Sequence, residues 1–97
     1  MNSSPEKFKN FNSILGLNPG DDFQVLAEKV HRLYDLAPPD RQAEFVNINR
    51  LPVGDLMQME EKLHTCIQKL KIMGLREALA PTQDLYNKCR LWISDKR

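Results

Sequence analysis

Apolar residues recur along this chain at helical spacing and almost nowhere alternate as they do in strands. Phe23, Leu26, Ala27, Val30, Leu33, Tyr34 and Ala37 share one face of a helical repeat, the stripe a core-facing helix presents. Asp21-Asp22 precedes it, where a carboxylate can cap the first N–H groups and suits the positive end of the helix dipole. Pro38-Pro39 closes it, because a proline lacks a donor and pushes the residue before it out of the α region. A second, longer stripe comprises Leu56, Met59, Leu63, Cys66, Ile67, Leu70 and Met73. Gly74 follows as a left-handed end residue.

Shorter patterns fill the rest. Ser4 and Pro5 open a helix expected over 5–15, with Phe8, Phe11, Ile14 and Leu15 on one side. Gly16 suits its end and Asn18-Pro19-Gly20 a turn; so short a terminal helix reads as an arm. Pro38-Pro39-Asp40 begins another helix with Phe45, Ile48 and Leu51 stacked and Val46 widening the face. Val46 to Asn49 also alternates like a strand, but a lone strand would have no partner. Leu75 to Leu79 allows one turn before Ala80-Pro81, and Pro81 or Thr82 starts a last helix carrying Leu85, Cys89, Trp92 and Ile93. These elements predict an all-α fold, a compact bundle of four or five short helices, with an N-terminal helical arm and turn over 1–20 and the bundle over 21–97. Leu63, Ile67, Leu70, Leu85 and Trp92 are its expected core.

Ninety-seven residues suffice for one core and not two. With 41% hydrophobic and 28% charged residues the chain is expected to fold. Its apolar runs fall short of the roughly 20 residues that cross a bilayer, and its start lacks the pattern of a secretory signal. A soluble, intracellular protein without a membrane partner is expected. The net charge of +1 gives no reason to expect a nucleic-acid partner, yet it is unevenly spread. Met1 to Gln68 holds seven basic and ten acidic residues, Lys69 to Arg97 seven basic and three acidic. The positive third reads as a solvated helix surface or as a patch that attracts acidic segments. Two cysteines, Cys66 and Cys89, are too few for a disulfide scaffold and sit at apolar positions, so they read as small buried hydrophobes in a reducing compartment.

Chemistry is sparse. The four glycines stand apart, which removes phosphate-cradling loops. His64 and Cys66, two apart on a helix, point in different directions, and no paired cysteine spacing provides a zinc site. His31 lies beside its stripe, flanked by Lys29 and Arg32, and reads as a surface histidine; Glu60-Glu61 cannot converge on one substrate from adjacent helical positions. No enzyme, metal or cofactor is expected. Met57, Met59, Met73, Leu75 and the Leu51-Pro52-Val53 corner are more informative, since flexible methionines serve both cores and adaptable binding surfaces. Met57 falls just outside its stripe and adds exposed apolar area.

The run Ile48-Asn49-Arg50-Leu51-Pro52-Val53 with Leu56, then Leu63, Ile67-Gln68-Lys69-Leu70-Lys71 and Leu85-Tyr86-Asn87-Lys88 closing near Trp92 resembles the N-terminal domain of the transcription elongation factor TFIIS. That helical bundle is shared by several transcription regulators, including the integrase-binding domain of lens-epithelium-derived growth factor. The similarity spans Phe45 to Ile93, with a shorter stretch between Leu70 and Leu85 and a more distant tryptophan. A second resemblance, to the extra-terminal domain of bromodomain proteins, rests on Asp40-Arg41-Gln42 and Ile48 to Pro52, without that family's acidic strand-forming segment.

Both resemblances imply a nuclear scaffold that captures short disordered peptide motifs in transcription or chromatin complexes. The expected partner carries an apolar anchor and acidic flanks. Contacts are expected from Leu51, Pro52, Val53 and Met57 at one corner and from Met73 and Leu75 at another, with Lys69, Lys71 and Arg76 supplying charge. The alternative is a structural subunit that self-associates or packs on a fixed helical partner through the 56–73 helix; the oligomeric state is open.

Overall fold

Pro38, Pro52 and Gly74 divide the chain. In the computed structural model, which describes residues 15–18 and 20–97, the helices are α1 (Phe23–Asp35), α2 (Pro38–Asn49), α3 (Val53–Met73) and α4 (Arg76–Lys96). The fold is all-α, a small bundle with no strand among the described residues. Leu36 and Ala37 are extended, at ψ 153° and 149°, as a following Pro-Pro demands. The Arg41 guanidinium donates to the carbonyls of Tyr34 and Leu36 at 3.2 and 3.1 Å, satisfying acceptors that the end of α1 leaves open.

The α3–α4 connection is set by one glycine. Gly74 has φ 73°, its N–H donates to the Lys71 carbonyl at 3.2 Å, and the Leu75 N–H donates to the Leu70 carbonyl at 3.0 Å. These two bonds make a Schellman motif, which reverses the chain tightly. A Cβ at Gly74 would meet no atom within 4 Å, so substitution there costs backbone strain and no clash. Gly74→Ala is expected to destabilise the fold by about 1 to 2 kcal/mol, read as a lower urea midpoint. An unchanged midpoint would mean that the turn relaxes elsewhere.

Antiparallel α3 and α4 form the central hairpin, and α1 packs on both. Leu26, Val30 and Leu33 of α1, Leu56, Met59, Leu63 and Cys66 of α3, and Leu85, Cys89 and Ile93 of α4 share one buried cluster, which Ile48 of α2 joins. At the rim, the Phe45 ring lies 5.9 Å from Tyr34 and 6.2 Å from Trp92.

Several expectations are corrected. The last helix starts at Arg76 and runs through Pro81. Proline removes a single backbone bond there, to the exposed Glu77, and burial of Thr82, Leu85, Cys89 and Ile93 on one side holds the helix together. Thr82 also donates its hydroxyl to the Ala78 carbonyl at 2.8 Å. Trp92 is half-buried, a rim residue beside Phe45. Met73 leaves the buried stripe as α3 reaches solvent. Ile48 of α2 is buried as expected, but Glu44 is buried with it, Val46 is exposed, and Phe45 and, just beyond the helix, Leu51 are only half-buried.

The expected helix over 5–15 lies outside the described residues, except for Leu15, which is non-helical and packs against the core. Gly16 takes the expected positive φ, 64°. Leu17 joins the core, and the Asp21 N–H closes a turn onto the Asn18 carbonyl at 3.0 Å. Neither Asp21 nor Asp22 caps α1 with its side chain. The Asp21 carboxylate instead accepts from Lys29 at 2.8 Å and from the Asn18 N–H at 3.2 Å. Lys29 also reaches the Gly16 carbonyl and Lys62 the Asp21 carbonyl, at 3.0 and 2.9 Å. The described part of the 1–20 segment is thus tied to α1 and α3.

Candidate interaction surface

The residues singled out from the sequence lie at the two ends of α3. At its start Pro52, Val53 and Met57 are exposed, while Leu51 is half-buried against the core. At its end Met73 is 58% and Leu75 47% exposed. A 21-residue helix separates these corners, about 30 Å at 1.5 Å per residue. They are two surfaces. Lys71 and Arg76 flank the second one and are exposed. Lys69 belongs to another side, since its ammonium stands 4.8 Å over the Phe23 ring.

The end of α3 is the more open corner. Ile72, absent from the sequence expectations, is 85% exposed. The sequence carries the signal, because Ile72 falls off the buried stripe two residues before a helix-ending glycine. Beside it lies a shallow cleft of about 520 Å³ lined by His31, Gly74, Leu75, Arg76, Glu77 and Ala78. Its position follows from the turn: Gly74 has no side chain to fill it, and α1 brings His31 to its edge. His31 pairs with Asp35 one turn on, at 3.7 Å. Arg76 supplies positive charge and Glu77 negative.

Other polar groups are engaged or scattered. On the outer side of the hairpin, Arg90 pairs with Glu60 at 3.7 Å and His64 lies 5.7 Å from Tyr86. These four residues and Glu61 line a cleft of about 310 Å³. Among the described residues no group of three or more His, Cys, Asp or Glu could hold a metal ion. No described helix is long and apolar enough to cross a membrane. Cys66 and Cys89 are free and buried. Burial pushes the Cys89 thiol up to about 12, with Glu60 adding to the rise. Burial also raises Cys66, against a smaller opposing effect of Lys62. Thiols held in this form are poor nucleophiles. The Tyr34 hydroxyl donates to Asp84, and burial, then that bond, raises the phenol above its ordinary range.

Comparison of the chain with known proteins finds no matching family model, curated protein or solved structure.

Proposed function

We propose that the chain is a non-enzymatic interaction module that captures short disordered protein segments, and that the α3–α4 corner is its capture site. The observation that carries this reading is the exposure of Met73 and Leu75 beside the cleft under His31. Large apolar side chains left uncovered at a tight turn, next to a concave surface, suit an incoming aliphatic or aromatic side chain. Lys71 and Arg76 would meet acidic residues flanking that anchor and speed association. Placement in transcription or chromatin complexes, in the nucleus, rests on the sequence resemblances described above.

The opposite corner, with Val53 and Met57, lies too far from this one to grip the same short motif. Packing of the 56–70 stripe on a partner would compete with the chain's own core, where Leu56, Met59, Leu63, Cys66, Ile67 and Leu70 are buried.

The test uses synthetic peptides with one Phe, Leu or Trp among Asp and Glu residues, titrated while backbone amide signals are followed. Shifts are expected around His31 and from Met73 to Ala78. Leu75→Asp should weaken binding by at least about tenfold with the thermal midpoint unchanged. Lys71→Glu should mainly slow association and flatten its salt dependence. Shifts confined to the Pro52 to Met57 corner would overturn the placement, and no binding by any such peptide at submillimolar concentration would overturn the reading.

A further inference from the structure

Met57, Glu61, Thr65, Gln68 and Ile72 run along the outer side of α3, and all are exposed. Their spacing of four, four, three and four residues is that of a helix side that packs on another helix. The strip has an apolar residue at each end, Met57 at 41% and Ile72 at 85% exposed, with the acid Glu61 and the uncharged Thr65 and Gln68 between. Charge is segregated along the same helix. Asp55, Glu60 and Glu61 all precede Lys62, Lys69 and Lys71 along it.

Such a strip is complementary to itself when turned end for end. We infer that α3 pairs with α3 of a second copy of this chain, antiparallel about a two-fold axis near His64 and Thr65. Met57 of each copy meets Ile72 of the other, and Glu60 of each lies on the same flank as Lys71 of the other. Charge chooses both the occupant and its direction. A parallel copy would set Glu60 and Glu61 against themselves, a like-charge arrangement that costs energy. A uniformly acidic segment would be repelled by the first half of α3. The antiparallel copy opposes acid to base and also opposes the two helix dipoles. Glu60 keeps capacity for a second cation, because its 3.7 Å pair with Arg90 involves partly exposed groups and such pairs are weak. The polar centre lowers affinity and fixes alignment, as buried polar positions do in paired helices.

The interface is isologous and leaves the cleft at Leu75 and Arg76 open. It places the two clefts at opposite ends of the pair, about one α3 length or 30 Å apart, which suits a partner with two motifs. Pairing does not depend on peptide capture: Leu75→Asp should leave it unchanged, whereas that substitution removes capture.

Sedimentation equilibrium of the full chain tests the pairing, from micromolar to submillimolar concentration at low and moderate salt. The mass average is expected to climb from one chain toward two, less steeply at higher salt. Met57→Lys and Ile72→Glu each replace an exposed side chain, and each should weaken self-association by at least about tenfold. An equimolar mixture of the two variants should regain association to within about threefold of the parent. In that mixed pair the introduced lysine of one variant faces the introduced glutamate of the other at one end, and the original Ile72 and Met57 meet at the opposite end. A strict monomer throughout overturns the inference. So does a dimer indifferent to either substitution, and so does a mixture no stronger than the separate variants.

Discussion

Leu63→Ala is expected to lower the unfolding free energy by about 2 to 5 kcal/mol, a large part of the roughly 5 to 15 kcal/mol typical of a small domain. Leu63 is fully buried in α3, in the cluster that also holds Leu26 and Leu33 of α1 and Leu85 of α4. Walls drawn from three helices cannot all move inward when the isobutyl group is removed, so most of its volume persists as a cavity, and cavity volume sets the cost. Ile67 is 4% exposed and lies outside that cluster. Ile67→Ala should therefore cost less than Leu63→Ala. Urea unfolding decides: a lower midpoint at an unchanged slope isolates the stability change. A larger loss at Ile67 than at Leu63 would show that the core lies on the other side of α3.

The same geometry explains which features were readable in the sequence. The end of α1 and the start of α2 follow from Pro38-Pro39, and the end of α3 from Gly74, because proline restricts the backbone and glycine admits a positive φ wherever they occur. The stripe from Leu56 to Leu70 is buried as its spacing predicts. Pro81 misled because a local rule marks it as a boundary, whereas burial of Thr82 and Leu85 against the hairpin outweighs one missing backbone bond. On α2 the apolar pattern is weak: Ile48 is buried as its place beside Phe45 predicts, whereas burial of the charged Glu44 carries no mark in the spacing. The site was half legible. Met57 and Leu75 are exposed, as residues beside a stripe or in a connection should be. That the two corners lie a full helix apart depends on α3 running unbroken between them. Spacing extends the stripe to Met73 and leaves Ile72 off it, whereas in the fold both are exposed because the stripe has already run past its partner helices.

Stability should fall steeply above about pH 9, and the buried thiols and the half-buried Tyr34 hydroxyl supply the reason. Cys89 is pushed from an ordinary value of 9.0 up to about 12 by burial first and Glu60 second. Tyr34 is raised by burial first, then by donating to Asp84, with Arg41 opposing; Cys66 is raised by burial. All three are acids that the folded chain keeps protonated and the unfolded chain releases. Their stabilisation is complete below the ordinary values, near 9 for the thiols and 10 for the phenol, and is lost as pH rises beyond them. Each such group lowers the unfolding free energy by about 1.4 kcal/mol per pH unit once the unfolded state has lost its proton. For Cys89 the loss between about 9 and 12 is on the order of 4 kcal/mol. With the phenol adding to it above pH 10, alkaline unfolding is expected before pH 12. Urea unfolding at successive pH values from 7 to 11 checks this, with Tyr34→Phe as the comparison. That variant loses a hydrogen bond worth about 1 kcal/mol at neutral pH, but its stability should fall less steeply above pH 10 because one titrating group is gone. A flat profile to pH 11, or identical slopes for Tyr34→Phe and the parent, would mean that these groups titrate alike in the folded and unfolded chain and that the Tyr34–Asp84 contact does not hold the phenol's proton.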